Sequence, residues 1–189
     1  VAGRPPASSR DAIERVALEL FAARGFDETT VDDIAAAAGI ARRTFFRYFG
    51  SKNDVVWGEF DAGLDRLRAT LAATPDATPW STALRRAVVD FNRLDDEHVS
   101  VHRARMELIL HVPALQAYST LMYARWRDVV SDFVARRTGE KRDSFGPRLL
   151  GHGALAAAVA AYEQWLAEPN ADLAALLDTA MRWLTGEDD

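Results

Sequence analysis

Apolar positions along this chain recur at intervals of three and four, and no stretch alternates convincingly with a period of two, so the pattern predicts helices throughout. Ile13, Val16, Ala17, Leu20 and Phe21 form one stripe on a first helix from about Arg10 to Arg24, with Ser9 as its N-cap and Gly25 as its left-handed stop. A short second helix follows Thr30. Val31, Ile34, Ala35 and Ala38 face inward, and Thr30 and Asp33 have capping-box spacing with Asp in place of Glu. Gly39 permits a sharp turn, Ile40 plugs the angle, and a third helix runs from about Arg42 to Tyr48. At 100° per residue, Arg42, Arg43, Phe46 and Arg47 share an outward arc of about 140°. Phe45 and Phe49 are left as the anchors that hold this helix to its neighbours.

The same periodicity predicts a long fourth helix, 51–73, capped by Ser51 and striped by Val56, Phe60, Leu64, Leu67 and Leu71. After the break at 74–79, a fifth helix bears Trp80, Leu84, Ala87, Val88 and Phe91, with Pro79 in its first turn. Asp95-Asp96-Glu97 interrupts, and a sixth segment runs to about His111. Pro113 opens a seventh, carrying Leu115, Tyr118, Met122, Trp126, Val129, Val130 and Phe133 and ending before Gly139. An eighth covers about 144–167, and a ninth, capped by Asn170, carries Leu173, Leu176, Leu177, Ala180 and Leu184. The expected fold is all-α. Its parts are a flexible Pro/Ser/Ala-rich arm at 1–9, a three-helix helix-turn-helix head at 10–53 and a helical body at 54–185.

Composition narrows the class. The 189 residues are 49% hydrophobic and 27% charged, as in a globular protein with a real core. No apolar run approaches a membrane span and the start lacks a signal-like apolar core, so a cytoplasmic protein with no membrane contact is expected. Cysteine is absent, which excludes disulfides, thiolate metal sites and cysteine nucleophiles. Four scattered histidines give no metal-ligand spacing, and there is no glycine-rich phosphate loop or nucleophile–base motif. Neither an enzyme, nor a metal, nor a cofactor is expected.

Charge distribution says more than net charge. Residues 1–53 carry eight basic and seven acidic side chains, a balance of +1, in a chain of net charge -5; the remainder therefore carries -6. Between Asp33 and Asp54 lie four basic residues, Arg42, Arg43, Arg47 and Lys52, with no acid among them. An acidic body repels nucleic acid, so contact with double-stranded DNA falls to the head. Arginine can grip guanine O6 and N7 with a two-pronged fork that lysine cannot reproduce. Thr30, at a helix N-terminus, can offer a hydroxyl and N–H groups to a phosphate.

The run Thr30-Val31-Asp32-Asp33-Ile34-Ala35, the turn Gly39-Ile40, and Thr44-Phe45-Phe46-Arg47-Tyr48-Phe49 with Lys52 together resemble the signature of TetR-family transcriptional regulators. A narrower likeness, on Arg43-Thr44-Phe45-Phe46-Arg47-Tyr48-Phe49, Ser51-Lys52-Asn53-Asp54-Val55, Met106-Glu107-Leu108-Ile109-Leu110 and Val112-Pro113-Ala114-Leu115-Gln116-Ala117, is to the regulators associated with mycofactocin biosynthesis clusters. The resemblance implies a homodimer with two DNA-reading heads and bodies that bind a small-molecule effector, acting most often as a repressor. Arg42, Arg43 and Arg47 then face bases or phosphates, Thr44, Tyr48 and Lys52 match backbone-contacting positions, and Phe46 replaces the family's tyrosine. Ala41 stands where the family commonly has a capping serine. These two departures keep a second reading open: an all-α small-molecule binding or scaffold protein whose head no longer reads DNA.

The implied effector pocket lies within the bundle, with Phe60, Leu64, Trp80, Phe91, Met106, Tyr118, Met122 and Trp126 as its candidate wall and Arg103 as a polar neighbour. Acyl thioesters of coenzyme A, effectors of several family members, are one compatible class. Gly151, Ala154, Ala158 and Ala161 let helix axes approach closely and, with Trp165, Leu173 and Leu177, suit a four-helix dimer bundle. Ordinary packing within one chain accounts for the same residues.

Overall fold

The computed structural model describes residues 9–95 and 98–187, so most of the expected N-terminal arm and part of the Asp95-Asp96-Glu97 interruption lie outside the described residues. Ten α-helices and no strand occur among the described residues. They group into two compact units. One takes in the described residues up to Gly58 and from His98 to Tyr118; the other comprises Glu59–Asp95 and the described residues from Ser119 onward. Residues 98–118, expected in the body, thus cluster with the head.

In the first unit, α1 (Arg10–Arg24) starts where the Ser9 hydroxyl accepts the Ala12 N–H at 3.2 Å. Its buried side is Ile13, Ala17, Leu18 and Phe21. Helix α2 (Val31–Ala37) opens on a complete capping box: Thr30 Oγ1 accepts the Asp33 N–H at 3.1 Å, and Asp33 Oδ2 accepts the Thr30 N–H at 2.8 Å. It closes with the Ile40 N–H donating to Ala35 O and the Gly39 N–H to Ala36 O, both around 3 Å, a Schellman arrangement that the positive φ of Gly39 (66°) allows. This turn aims α3 (Arg42–Tyr48) away from α2. Phe45 is fully buried, Phe49 is 2% exposed, and their rings lie 5.4 Å apart.

The expected single helix over 51–73 is two helices. α4 (Lys52–Trp57), capped by Ser51, stops at Gly58, and α5 (Phe60–Ala73) begins in the second unit. Gly58 has φ 53°, ψ -129°, a backbone that L side chains rarely adopt, and the Arg105 guanidinium fills the space a Cβ would need. Periodicity missed the break because Val56, Phe60 and Leu64 keep their four-residue spacing straight through it.

Three side chains stitch α4 into its unit. Arg10 donates from Nη1 to Tyr48 O at 2.8 Å and from Nη2 to Gly58 O at 3.0 Å, with its guanidinium 4.5 Å from the Phe49 ring centroid. Arg105, on α7 (Val99–His111), donates to Val56 O at 2.8 Å and pairs with Glu14 of α1; both side chains are 15% exposed. Tyr118, near the start of α8 (Pro113–Thr138), donates its hydroxyl to the Asp54 carboxylate.

The second unit contains α5, α6 (Trp80–Phe91), the rest of α8, α9 (Phe145–Ala167) and α10 (Leu173–Thr185). Leu64, Leu84, Val88, Val130, Phe133, Leu177 and Met181 are buried to 1% exposure or less. Arg85 of α6 clasps the end of α10, pairing with Asp178 and, at 2.9 Å, with Glu187, whose other oxygen accepts from the Ser81 and Thr82 hydroxyls. Helix α10 is capped by Asp172 rather than the expected Asn170: Asp172 Oδ1 accepts from Ala174 and Ala175 N–H at 2.8 and 3.3 Å. Asp172 stands at the N-cap itself, where a carboxylate also meets the positive end of the helix dipole.

Candidate DNA interface and effector body

The arginine face of α3 begins three residues after Gly39, but its members differ in what they already hold. Arg43 is exposed and has no hydrogen bond, ion pair or ring contact among the described residues. Arg42 pairs with Asp32 at 2.7 Å, and its guanidinium lies 5.4 Å from the Phe46 ring centroid. Arg47 donates to the Tyr48 hydroxyl at 3.1 Å and sits 4.8 Å from that ring. Phe46 is 44% exposed, an unusual placement for a phenylalanine, and packs edge-on against Phe45 at 5.4 Å. Thr44 is half-buried in the first turn of α3, which no side chain caps because Ala41 has nothing to offer.

Thr30 lies on the exposed rim of α2, already engaged with Asp33. Its hydroxyl and N–H hold the Asp33 carboxyl below the usual carboxylate range, with Arg24 at 3.8 Å assisting. Lys52 is placed differently from its expected role. Its Nζ donates to Phe26 O at 2.7 Å, Thr29 O at 3.1 Å and, at the limit of reach, Asp27 O, and it lies 4.2 Å from the Phe26 ring centroid. The ammonium therefore ties down the loop between α1 and α2. Sequence gave no signal for this, since Lys52 and Phe26 are 26 residues apart.

Of the nine effector candidates, Phe60, Leu64, Trp80, Phe91, Met122 and Trp126 fall in the second unit, and Arg103, Met106 and Tyr118 in the first. Phe60, Phe91 and Trp126 form an edge-on aromatic row with centroid separations of 6.4 and 6.5 Å. Gly63 lets α5 lie against Phe91. Leu64 is fully buried, whereas Trp80 and Met122 are half-buried. The same unit holds a buried polar cluster that periodicity does not report. Tyr162 donates to Asn92 Oδ1 at 2.8 Å, Asn92 donates to Val88 O, and Tyr123 bonds Ser119. Burial pushes both tyrosine hydroxyls up from their ordinary range. Tyrosines on an apolar helical stripe were the only available sign of it.

All seven dimer candidates face their own chain. Gly151, Ala154, Ala158, Ala161, Trp165, Leu173 and Leu177 are buried. At Gly151 a Cβ would collide with the Ser131 hydroxyl and crowd Arg127 O at 3.1 Å, so this glycine serves the close approach of α9 to α8. The exposed large apolar side chains on α9 and α10 are Phe145 (81%), Leu149 (54%) and Trp183 (81%). Among the described residues no group of three or more His, Asp or Glu is placed to hold a metal, and no helix is long and apolar enough to cross a membrane.

Residues 13–56 match the family of bacterial regulatory proteins of the TetR type, and residues 78–187 match the MftR C-terminal domain. The chain is 46% identical over 178 residues to a Mycobacterium tuberculosis protein assigned as the mycofactocin biosynthesis transcriptional regulator MftR, covering 94% of this chain and 90% of that one. Thermus thermophilus FadR, a TetR-family repressor solved with lauroyl-CoA, superposes with a TM-score of 0.57 at 25% identity, over 94% and 93% of the two chains. The fold alone is shared with the triclosan complex of SmeT, the repressor of the Stenotrophomonas maltophilia efflux pump SmeDEF, at a TM-score of 0.70 and 20% identity, over 96% and 91%. The chain belongs to the TetR family: it is a DNA-binding transcriptional regulator and not an enzyme.

Proposed function

We propose that this regulator acts in the cytoplasm as a homodimeric repressor, released from its operator by a small-molecule effector. The observation that carries the DNA half is the exposed guanidinium of Arg43, without a partner among the described residues, on a helix pinned from behind by Phe45 and Phe49. In this reading α3 enters a major groove, and two heads meet half-sites about one helical turn apart. Arg43 reads a base edge, Arg42 and Arg47 reach bases or phosphates, and Phe46 lies against a thymine methyl or sugar. Thr30, Thr44 and Tyr48 set register on the backbone. Lys52 contributes by holding the loop that leads to Thr30.

The partner copy docks on the outer side of α9 and α10. Phe145, Leu149, His152, Ala156 and Ala160 are exposed along α9 at spacings of three and four, and Trp183 is exposed on α10. The effector occupies the second unit beside Phe60, Phe91 and Trp126, and long-chain acyl-CoA is the first class to test, supported by the lauroyl-CoA bound to the Thermus relative. The deciding experiment is a mobility shift on the DNA upstream of the protein's own coding sequence, repeated with acyl-CoAs, free CoA and fatty acids. A retarded complex that acyl-CoA alone dissolves is the expected result. No complex removes the repressor reading, and a complex indifferent to all three removes the effector class.

A further inference from the structure

We infer that Asp32 is a specificity determinant of the head: it neutralises Arg42 in the free protein and so limits binding to DNA that offers α3 no matching base. The inference rests on the reading that α3 faces DNA. The two acids that open α2 have separate employment. Asp33 is taken up by the capping box, receiving both the hydroxyl and the N–H of Thr30. Asp32 makes one interaction among the described residues, with Arg42 Nη1 at 2.7 Å. Both partners are more than half exposed, so the pair is weak and exchangeable.

The consequence depends on what Arg42 meets. Non-specific attraction to DNA comes from cations that displace the counterions of phosphates. An arginine shared with a carboxylate displaces fewer, and a carboxylate left beside phosphates is repelled by them. The face that looks tri-cationic in sequence therefore offers random DNA chiefly Arg43 and Arg47. A guanine edge is different, because its two acceptors match the guanidinium fork and can replace the carboxylate bond for bond. Asp32 thus costs affinity on every duplex and costs least where Arg42 finds a base. Specificity gained by weakening the wrong complex needs such a repulsive element.

The test is fluorescence anisotropy with the full chain on two labelled duplexes, the fragment upstream of its own gene and a scrambled fragment of equal length, across a salt series. Asp32→Asn keeps the shape and removes the charge. It is expected to tighten binding to the scrambled duplex by roughly two- to fivefold and to steepen the salt slope by about one unit, with a smaller gain on the upstream fragment. In an Arg42→Ala background the same substitution should lose most of that effect. Superimposable wild-type and Asp32→Asn curves on the scrambled duplex overturn the inference alone. So does equal gain on both duplexes, or loss confined to the upstream fragment, which makes Asp32 a positioning residue for Arg42. Wild-type protein that binds neither duplex overturns the DNA-facing reading and this inference with it.

Discussion

Lys52 Nζ lies 2.7 Å from the carbonyl oxygen of Phe26, with its charge 4.2 Å from the same residue's ring centroid. The amine that a family match would send to a phosphate is holding a loop. Lys52→Met keeps the stem and removes the donor, leaving the Phe26 and Thr29 carbonyls without it. A loss of about 1–3 kcal/mol in unfolding free energy is expected from denaturant titration. An unchanged midpoint accompanied by weaker DNA binding would return Lys52 to the phosphates.

Arg43→Ala should do the opposite. With no partner among the described residues to lose, its thermal midpoint stays where it was. Affinity for the operator falls by about 1–3 kcal/mol at matched salt if the side chain reads a base. Equal weakening on scrambled DNA would mark it as a phosphate contact.

Ala41 has extended backbone angles suited to an N-cap (φ -72°, ψ 148°) and no side chain to complete it. Ala41→Ser is therefore expected to raise stability by about 1 kcal/mol. Denaturant unfolding of the pair measures the difference, and a serine variant no more stable than the parent would show that the Ala41 geometry cannot be capped.

These positions also mark how far sequence reaches. The capping box, the Gly39 turn and the Phe45–Phe49 anchor are local, each set by residues within four or five of one another, and were legible. The Gly58 break, the Lys52 anchor and the Arg105–Glu14 pair were not. That last pair joins residues 91 apart, and nothing in periodicity reports it. On α9, apolar and small residues occur all the way round, so the stripe of alanines could be seen but not the neighbour that covers it. At Gly151 the neighbour is α8 of the same chain, and at Gly153 it is Leu184 of α10.

Burial, aided by the charge of Arg105, pushes His102 down to about 4. A histidine whose folded pKa lies below its unfolded value of about 6.5 stabilises the fold above that value and withdraws its support as pH falls toward 4. Unfolding curves between pH 7 and 4 should show wild type losing stability faster than His102→Gln. Parallel curves would place the imidazole in a more open setting than this one.

Leu149→Glu puts a carboxylate in the middle of the exposed α9 stripe. Self-association should weaken by at least about tenfold, because burying one leucine is worth about 1.5–3 kcal/mol and an unpaired charge resists burial. Sedimentation velocity at micromolar concentration measures it. A variant as dimeric as wild type moves the partner surface elsewhere.

Grafting is where the make-up of the first unit has its practical effect. Its compact core is assembled from two stretches of chain, with residues 59–95 of the other unit between them. A reading head excised at Gly58 keeps Glu14 but leaves behind the guanidinium that answers it, along with the donor to Val56 O. A chimera that transplants this head onto a foreign sensor must bring α7 with it. During synthesis, too, the head is completed only after α5 and α6 have already emerged from the ribosome.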